Sequence, residues 1–354
     1  MLSFHNKIIN GDSLNELKKI PDKSFDLVFA DPPYNMQIGE TLRRPDASKV
    51  KGVDDKWDQF ESFKHYDNFC KSWLIECKRI LKDNGSIWVI GSYHNIFRLG
   101  YHLQNLNYWL LNDVIWRKNN PMPNFRGTRF TNAHETLIWA SKNKKSKYTF
   151  NYQTMKSLNN NKQMRSDWLI NICSGKERLK DGENKKIHNT QKPEKLLHNI
   201  IMSSTKSGDI ILDPFFGTGT TGAVCKKLGR KFIGIEKNSV YIKEAKKRIQ
   251  KIKSVNIPTI KIEDSIRSNK VNFSKLLEKG LIKAGTKLFN NNKTICATVL
   301  SNGKIKLKEN IGSIHQIGAL VQKKSSCNGW NFWHTAHQNK LISINIHRSN
   351  YFRE

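Results

Sequence analysis

Apolar positions along the chain fall into two recurring patterns. Short runs with little polar interruption occur at Leu27-Val28-Phe29-Ala30, from Ser86 to Ile90, at Ile210-Ile211-Leu212 and at Phe232-Ile233-Gly234-Ile235. Their length and β-branched or aromatic content suit strands buried on both faces of a parallel sheet. Elsewhere the apolar residues recur at helical spacing. Phe69, Trp73, Cys77 and Ile80 predict an amphipathic helix over 67–81, stopped by Asp83-Asn84-Gly85. Further helices are predicted over 194–203 and 240–252, with Ser207-Gly208-Asp209 turning into the strand at Ile210. Strand and helix signals alternate from Lys7 to Ser141 and again from Pro193 to Ile252, which predicts an α/β fold. Between these halves, Lys142 to Lys192 is polar and basic, and its middle, SLNNNKQMRSD, has no period and reads as a loop. A linker around Ser254 to Asp264 separates a main domain, 1–262, from a compact glycine-punctuated module, 265–354. There are no internal repeats.

At 354 residues the chain has room for one large core and a small second one. No apolar run approaches the length of a membrane span. The start, MLSFHNKIINGDSL, lacks the apolar centre of a signal peptide, so the protein is expected in the cytoplasm, with the nucleoid. Its six cysteines contain no C-x-x-C pair, which leaves neither a zinc pattern nor a disulfide framework.

Charge changes the picture. The formal net charge is +31, and such an excess attracts polyanions, of which nucleic acid is the commonest in a cytosol. A lysine- and asparagine-rich coding bias is the plainer explanation, but it does not account for the scarcity of acids. From Arg267 to Arg353 fifteen Lys or Arg face only Glu278 and Glu309, so the module is basic in its own right.

Two strand ends carry candidate chemistry. Leu27 to Ala30 runs into Asp31-Pro32-Pro33-Tyr34, where the prolines end the ladder because neither donates a backbone hydrogen bond. Asp31 and Tyr34 therefore sit past the carboxyl end of a central strand, where open α/β sheets bind ligands. Asp31 offers a carboxylate acceptor, Pro32 a carbonyl, and Pro33 stiffens the turn. Two such acceptors aimed at the N–H groups of an exocyclic amine draw its nitrogen toward a more nucleophilic, tetrahedral geometry. Tyr34 offers a face for a base to stack on. The second strand end is Asp213-Pro214-Phe215-Phe216-Gly217-Thr218-Gly219-Thr220-Thr221-Gly222, a glycine-rich turn opening a helix. Glu236 follows at roughly the ~20-residue distance expected of a ribose-binding acid. Alone, this pattern fits a nicotinamide enzyme and an S-adenosylmethionine enzyme equally. The Asp31 turn favours the latter.

With both motifs present, the sequence resembles the DNA adenine-N6 methyltransferases. Asp31 to Tyr34 looks like their catalytic motif and Asp213 to Thr221 like their S-adenosylmethionine motif. The order, catalytic motif first, is that of the β group. The resemblance implies a Rossmann-like S-adenosylmethionine-dependent methyltransferase fold, mostly parallel with helices on both faces, plus a small basic C-terminal DNA-binding domain. It places Asp12, in Asn10-Gly11-Asp12-Ser13, at the cofactor adenine. It assigns Asp31, Thr190, Lys192, Asp213, Phe215, Gly217, Thr218, Gly219, Thr220 and Glu236 to the cofactor as well. His188-Asn189-Thr190-Gln191-Lys192-Pro193 is similar to a loop that embraces the methionine end, with Asn189 where proline is usual and Lys192 available to pair with the cofactor carboxylate. Within the group, Asn119 to Glu135 and the tail around Gly312 to His315 and Cys327 to Trp333 look like the cell-cycle-regulated methylases of GANTC sites. That likeness implies a homodimer acting on double-stranded DNA, timed to replication.

The segment of about 117–187 is the expected target-recognition region. Asn124, Arg126, Arg129 and Asn132 carry side chains that read base edges bidentately, with phosphate contact as the alternative; Lys118 and Asn119 precede them. Arg43, Arg44, Lys49 and Lys51 follow the catalytic turn and suit a backbone clamp while the target base leaves the stack. Trp57 is either pocket wall or core. Asn328, Trp330 and Trp333 are candidates for DNA contact, with a small module's own core as the alternative for the aromatics. His134-Glu135 is assigned no catalytic part, since methyl transfer needs no histidine base; nor does it need a metal. An RNA base methyltransferase and an inactive DNA-binding regulator remain as competing readings.

Overall fold

Alternate residues of Phe25–Ala30 enter two different hydrophobic clusters, Val28 and Ala30 on one face and Leu27 and Phe29 on the other. That is why the run carries no polar alternation. The computed structural model describes residues 5–36, 58–124, 127–252, 271–337 and 340–351, and the chain divides into two units, Met1–Ile262 and Glu263–Glu354. The first unit contains β1 (Lys7–Asn10), α1 (Ser13–Lys18), β2 (Phe25–Ala30), α2 (Phe63–Ile80), β3 (Leu81–Gly91), α3 (Ile96–Asn105), β4 (Trp109–Lys118) and β5 (His134–Ser141). It continues with α4 (Tyr152–Ser157), β6 (Asp167–Ile170), α5 (Glu194–Ser204), β7 (Ile210–Asp213), α6 (Thr220–Lys227), β8 (Lys231–Glu236) and α7 (Ser239–Gln250). The strands form one sheet in the order β1-β8-β7-β2-β3-β5-β4-β6. Every pairing is parallel except the two made by β5. Helices cover both faces: α2 buries Trp73, Leu74 and Cys77 in one cluster, and α5 buries Leu196, Leu197 and Ile200 in the other. This is the mostly parallel α/β sheet expected from the alternation of signals.

Two local expectations are corrected. The helix expected over 67–81 starts a turn earlier, because the Ser62 hydroxyl caps it by accepting from the His65 amide at 3.1 Å. It passes at Leu81 directly into β3, with no stop at Asp83-Asn84-Gly85. The stretch 142–192, expected to be irregular, contains α4 and β6, which pairs with the edge of β4. β6 has only four residues, too few for a period to show. The expected recognition segment of about 117–187 takes in β5, α4 and β6 with the connections between them. β5 lies between β3 and β4, and 119–133, 142–166 and 171–187 leave the sheet between strands.

The second unit contains α8 (Phe273–Glu278), β9 (Lys287–Phe289), β10 (Cys296–Val299), β11 (Ile305–Leu307), β12 (Asn310–Gly312), α9 (Ile314–Gln322), α10 (Gly329–Phe332), β13 (His334–His337), β14 (Lys340–Ser343) and α11 (Ile344–Tyr351). Its six strands form an antiparallel sheet, β12-β11-β10-β9-β13-β14. The Ser313 and Gln316 side chains close a reciprocal capping box on α9. Trp330 and Trp333 belong to the core, with Trp333 fully buried and its indole N–H donating to the Ile314 carbonyl at 2.9 Å. The alternative in which they stack on DNA bases is therefore set aside: a module this small fills its interior with its largest rings. The Asn328 side chain caps α10, accepting from the Trp330 amide, and so is engaged within the fold. Among the described residues no helix is long and apolar enough to cross a membrane.

Candidate active site

The turn after β2 is held from beneath. The Asp58 carboxylate, 2 % exposed, accepts the backbone N–H groups of Tyr34, of Asn35 at 2.9 Å and of Met36 at 3.1 Å. Tyr66, from α2, donates its hydroxyl to the Pro33 carbonyl at 2.8 Å, and Asn95 donates to the Tyr66 oxygen at 3.1 Å. The chain reversal is thus locked by three groups distant in sequence, and Asp58, Tyr66 and Asn95 were not foreseen. Asp58→Ala orphans three donors, one buried and two half-buried. It is expected to cost about 2 kcal/mol in urea unfolding and to slow turnover; unchanged stability would show that this carboxylate does not hold the turn.

Above the turn lies a cluster of charges that the sequence order conceals. Asp31 Oδ2 is 2.9 Å from Lys192 Nζ, which is 3.7 Å from Glu135 Oε2, while Glu135 Oε1 is 2.8 Å from Lys118 Nζ. None of these side chains is more than 18 % exposed. The Tyr34 hydroxyl lies 3.0 Å from Asp31 Oδ1 and 3.0 Å from Glu135 Oε2. Burial pushes the Asp31 carboxyl up; Lys192 opposes that rise and Glu135 adds to it. Burial also works against the charge on Glu135, but Lys192 and Lys118 hold it below the usual carboxylate range.

Several expected site residues have partners within the protein. Lys192, expected at the cofactor carboxylate, pairs with Asp31 and Glu135. Lys118, expected at DNA, turns inward to Glu135, because a half-buried ammonium needs an opposing charge. Tyr34 does not present an open face. It is 8 % exposed, its hydroxyl is tied back to two carboxylates, and the Lys192 ammonium lies 5.0 Å from its ring centroid. Glu135, given no catalytic part from sequence, stands at the centre. Its one sequence signal is an acid that opens an apolar strand, where Asp31 is an acid that follows one.

The glycine-rich turn stands beside this cluster, since β7 is the neighbour of β2. Gly217 and Gly219 adopt φ of +52° and +75°, and a Cβ on Gly219 would stand 2.8 Å from that of Ala245. Only glycine makes this turn without strain. Asp213 organises it, its two oxygens accepting from the Phe215 amide at 3.0 Å and the Thr221 hydroxyl at 2.6 Å. Burial pushes that carboxyl up to about 7. Glu236 closes β8, its oxygens accepting from the Gly217 amide at 2.8 Å and the Asn238 amide at 2.7 Å. Asp12 caps α1 through the Leu14 and Asn15 amides. Thr220 accepts from Arg248 at 3.0 Å, and the Phe215 ring packs edge-on to Trp73.

One recess brings the two motifs together. It is lined by Asp31, Thr190, Lys192, Asp213, Phe215, Gly217, Thr218 and Thr220, while Asp12, Gly219 and Glu236 lie outside its lining. Its wall includes His188, whose ring accepts the Thr190 amide at 3.2 Å; burial drives this imidazole down to about 4. Arg178 fastens that loop by donating to the His188 and Asn189 carbonyls at 2.9 and 3.0 Å.

The other expected DNA contacts divide sharply. Arg43, Arg44, Lys49, Lys51, Trp57 and Arg126 lie outside the described residues. Asn119, Arg129 and Asn132 are exposed and Asn124 is half-buried, and Arg129 donates to the exposed Tyr93 hydroxyl at 2.8 Å.

A mostly parallel sheet with an acid-Pro-Pro-Tyr turn and a glycine-rich turn at neighbouring strand ends, opening on one recess, defines an S-adenosylmethionine-dependent methyltransferase fold. The chain belongs to the DNA methylase family, whose model matches residues 25–247, and a second model, Restriction Enzyme Adenine Methylase Associated, matches residues 259–354. It is 51 % identical over 350 residues to the Type II methyltransferase M.HinfI of Haemophilus influenzae, spanning 98 % of this chain and 97 % of that one. It is 43 % identical over 246 residues to the Type II methyltransferase M2.LlaDCHI of Lactococcus lactis subsp. cremoris, spanning 69 % and 89 %. Among solved structures, the M1.HpyAVI–SAM complex superposes with a TM-score of 0.51 at 28 % identity, covering 69 % of this chain and 98 % of that one. The PvuII DNA methyltransferase (cytosine-N4-specific) shares the fold, with a TM-score of 0.54 at 22 % identity over 70 % and 88 %.

Proposed function

We propose that this methyltransferase moves a methyl group from S-adenosylmethionine to the N6 amine of an adenine flipped out of duplex DNA, within GANTC sites. The observation that carries the reading is the Asp31 carboxylate, at the start of a turn locked by Asp58 and Tyr66, facing the same recess as the glycine-rich turn.

The residues present fit the cofactor. Gly217 and Gly219 leave room for close approach, and the Glu236 carboxylate, held by the backbone amides of Gly217, Asn238 and Lys237, keeps acceptor capacity among its roughly four lone-pair sites for ribose hydroxyls. When bound, S-adenosylmethionine supplies an electrophilic methyl group on a sulfonium. The protein's part is to raise the nucleophilicity of a poor amine. Asp31 and the Pro32 carbonyl accept its two N–H groups, which withdraws the nitrogen lone pair from conjugation with the ring. Because the turn is built before the base arrives, little reorganisation is left for the reaction. The nitrogen sheds one proton as its bond to carbon forms, and the Asp31 carboxylate is the acceptor already in contact with it.

Modified-base sequencing of duplex DNA exposed to the purified protein tests this. N6-methyladenine confined to GANTC supports the whole reading. N4-methylcytosine, or methyl incorporation into RNA alone, overturns the choice of substrate, and N6-methyladenine elsewhere overturns the site. The excess of positive charge adds an independent expectation: DNA affinity should fall by about 10³-fold between 50 and 200 mM salt as counterions are released, and a flat dependence measured by anisotropy would remove the charge argument. Sedimentation of the complex with DNA tests the homodimer.

A further inference from the structure

The mechanism above uses Asp31 and leaves unexplained why a second buried acid, Glu135, shares both of its partners. The Tyr34 hydroxyl stands 3.0 Å from each carboxylate, yet a phenol has one proton to donate. The Lys192 ammonium is likewise divided, 2.9 Å from Asp31 and 3.7 Å from Glu135. We infer that Glu135 is a positioning residue: by offering Tyr34 and Lys192 a second carboxylate, it frees Asp31 to accept the N–H of the incoming amine. This role rests on the adenine-methylation reading.

The physical argument concerns what Asp31 would do alone. With no second acceptor, the Tyr34 proton either stays on Asp31 Oδ1, while Lys192 holds Oδ2, or is left buried and unbonded, at a cost that favours the first outcome. With Glu135 in place, the hydroxyl turns from one carboxylate to the other by rotating its hydrogen, and no heavy atom moves. The Lys192 charge divides in the same way. Undivided, it would hold the Asp31 electron pairs and weaken them as acceptors.

Lys118 completes the arrangement. Its ammonium, 2.8 Å from Glu135, balances the second acid, so that two acids face two ammoniums in a nearly dry site. Four titratable groups face Asp31: Lys192, Glu135, Tyr34 and, from the glycine-rich turn, Asp213. Glu135 faces Lys192, Lys118, Tyr34 and Asp31, and His188 lies within the field of Lys192. Glu135 is one of the charges that raise the Asp31 carboxyl, so removing it moves Asp31 downward.

The test uses the full-length protein, unmethylated plasmid DNA and tritiated S-adenosylmethionine, with single-turnover rates measured across pH so that product release does not intervene. Glu135→Gln leaves two ammoniums against one acid and risks misfolding. The pair Glu135→Leu with Lys118→Met keeps the charges balanced and decides the matter if the single variant does not fold. The expected result is a rate lower by about 10- to 100-fold, cofactor affinity within about 3-fold of wild type, and an acidic limb displaced to lower pH. A wild-type rate, or a slower rate with the acidic limb unmoved, overturns the role and leaves adenine methylation standing. A wild-type protein that puts no methyl group on adenine N6 overturns both.

Discussion

Asp31→Ala is expected to slow methyl transfer by about 10³-fold, the scale on which a preorganised charge in a dry site acts, while DNA and cofactor affinities stay within a few-fold. The binding expectation follows from the surroundings. Removing Asp31 does not strand the Lys192 ammonium, because Glu135 remains 3.7 Å away. Nor does it loosen the turn, whose bonds to Asp58 and Tyr66 run through backbone groups of Tyr34, Asn35, Met36 and Pro33. Single-turnover rates with titrations of S-adenosylmethionine and DNA separate the two effects. Asp31→Asn sharpens the test: the amide keeps the shape but turns an N–H toward the amine. A loss smaller than about 10-fold for Asp31→Ala would mean that another acceptor activates the nitrogen.

Trp333→Ala should cost about 3–5 kcal/mol, the range for emptying a large aromatic site in a core. The ring is fully buried among Ile314, Trp330 and Ile344, and its N–H would leave the Ile314 carbonyl without its donor. A loss of that size is comparable to the stability of a small module, so the C-terminal unit is expected to unfold early in urea and to lose DNA affinity together with its structure. Trp109→Ala provides the contrast, since that ring is 46 % exposed. If Trp333 were instead a stacking platform, its removal would weaken DNA binding with unchanged unfolding. That result would sink the placement of Trp333 in the core.

Both predictions depend on features that differ in how far the chain discloses them. The run Leu27 to Ala30 followed by Asp31-Pro32-Pro33-Tyr34 announces a buried strand ended by a turn, and Asp213 to Gly222 announces a glycine-rich loop opening a helix. Each signal is local, because periodicity, proline and left-handed glycine act within a few residues. β6 escaped the same reasoning because four residues carry no period, and Trp333 stayed ambiguous because ring size suits a core and a base equally.

The charge cluster lay beyond such reading. Asp31, Lys118, Glu135 and Lys192 meet because β5 lies beside β3 and runs against it. Its first residues therefore come to the sheet edge where β2 ends, and the acid that opens one strand faces the acid that follows another. Strand order and direction are long-range outcomes, settled by which apolar faces pack best once α2 and α5 cover the sheet. The amino-acid order by itself determined the two motifs, the α/β class and the basic balance, since these depend on neighbours along the chain. Only the tertiary structure decided that Lys192 and Lys118 turn inward, that Glu135 shares the partners of Asp31, and that Trp333 is interior. A charge or ring takes its role from what it is buried against, and that partner lies far away in sequence.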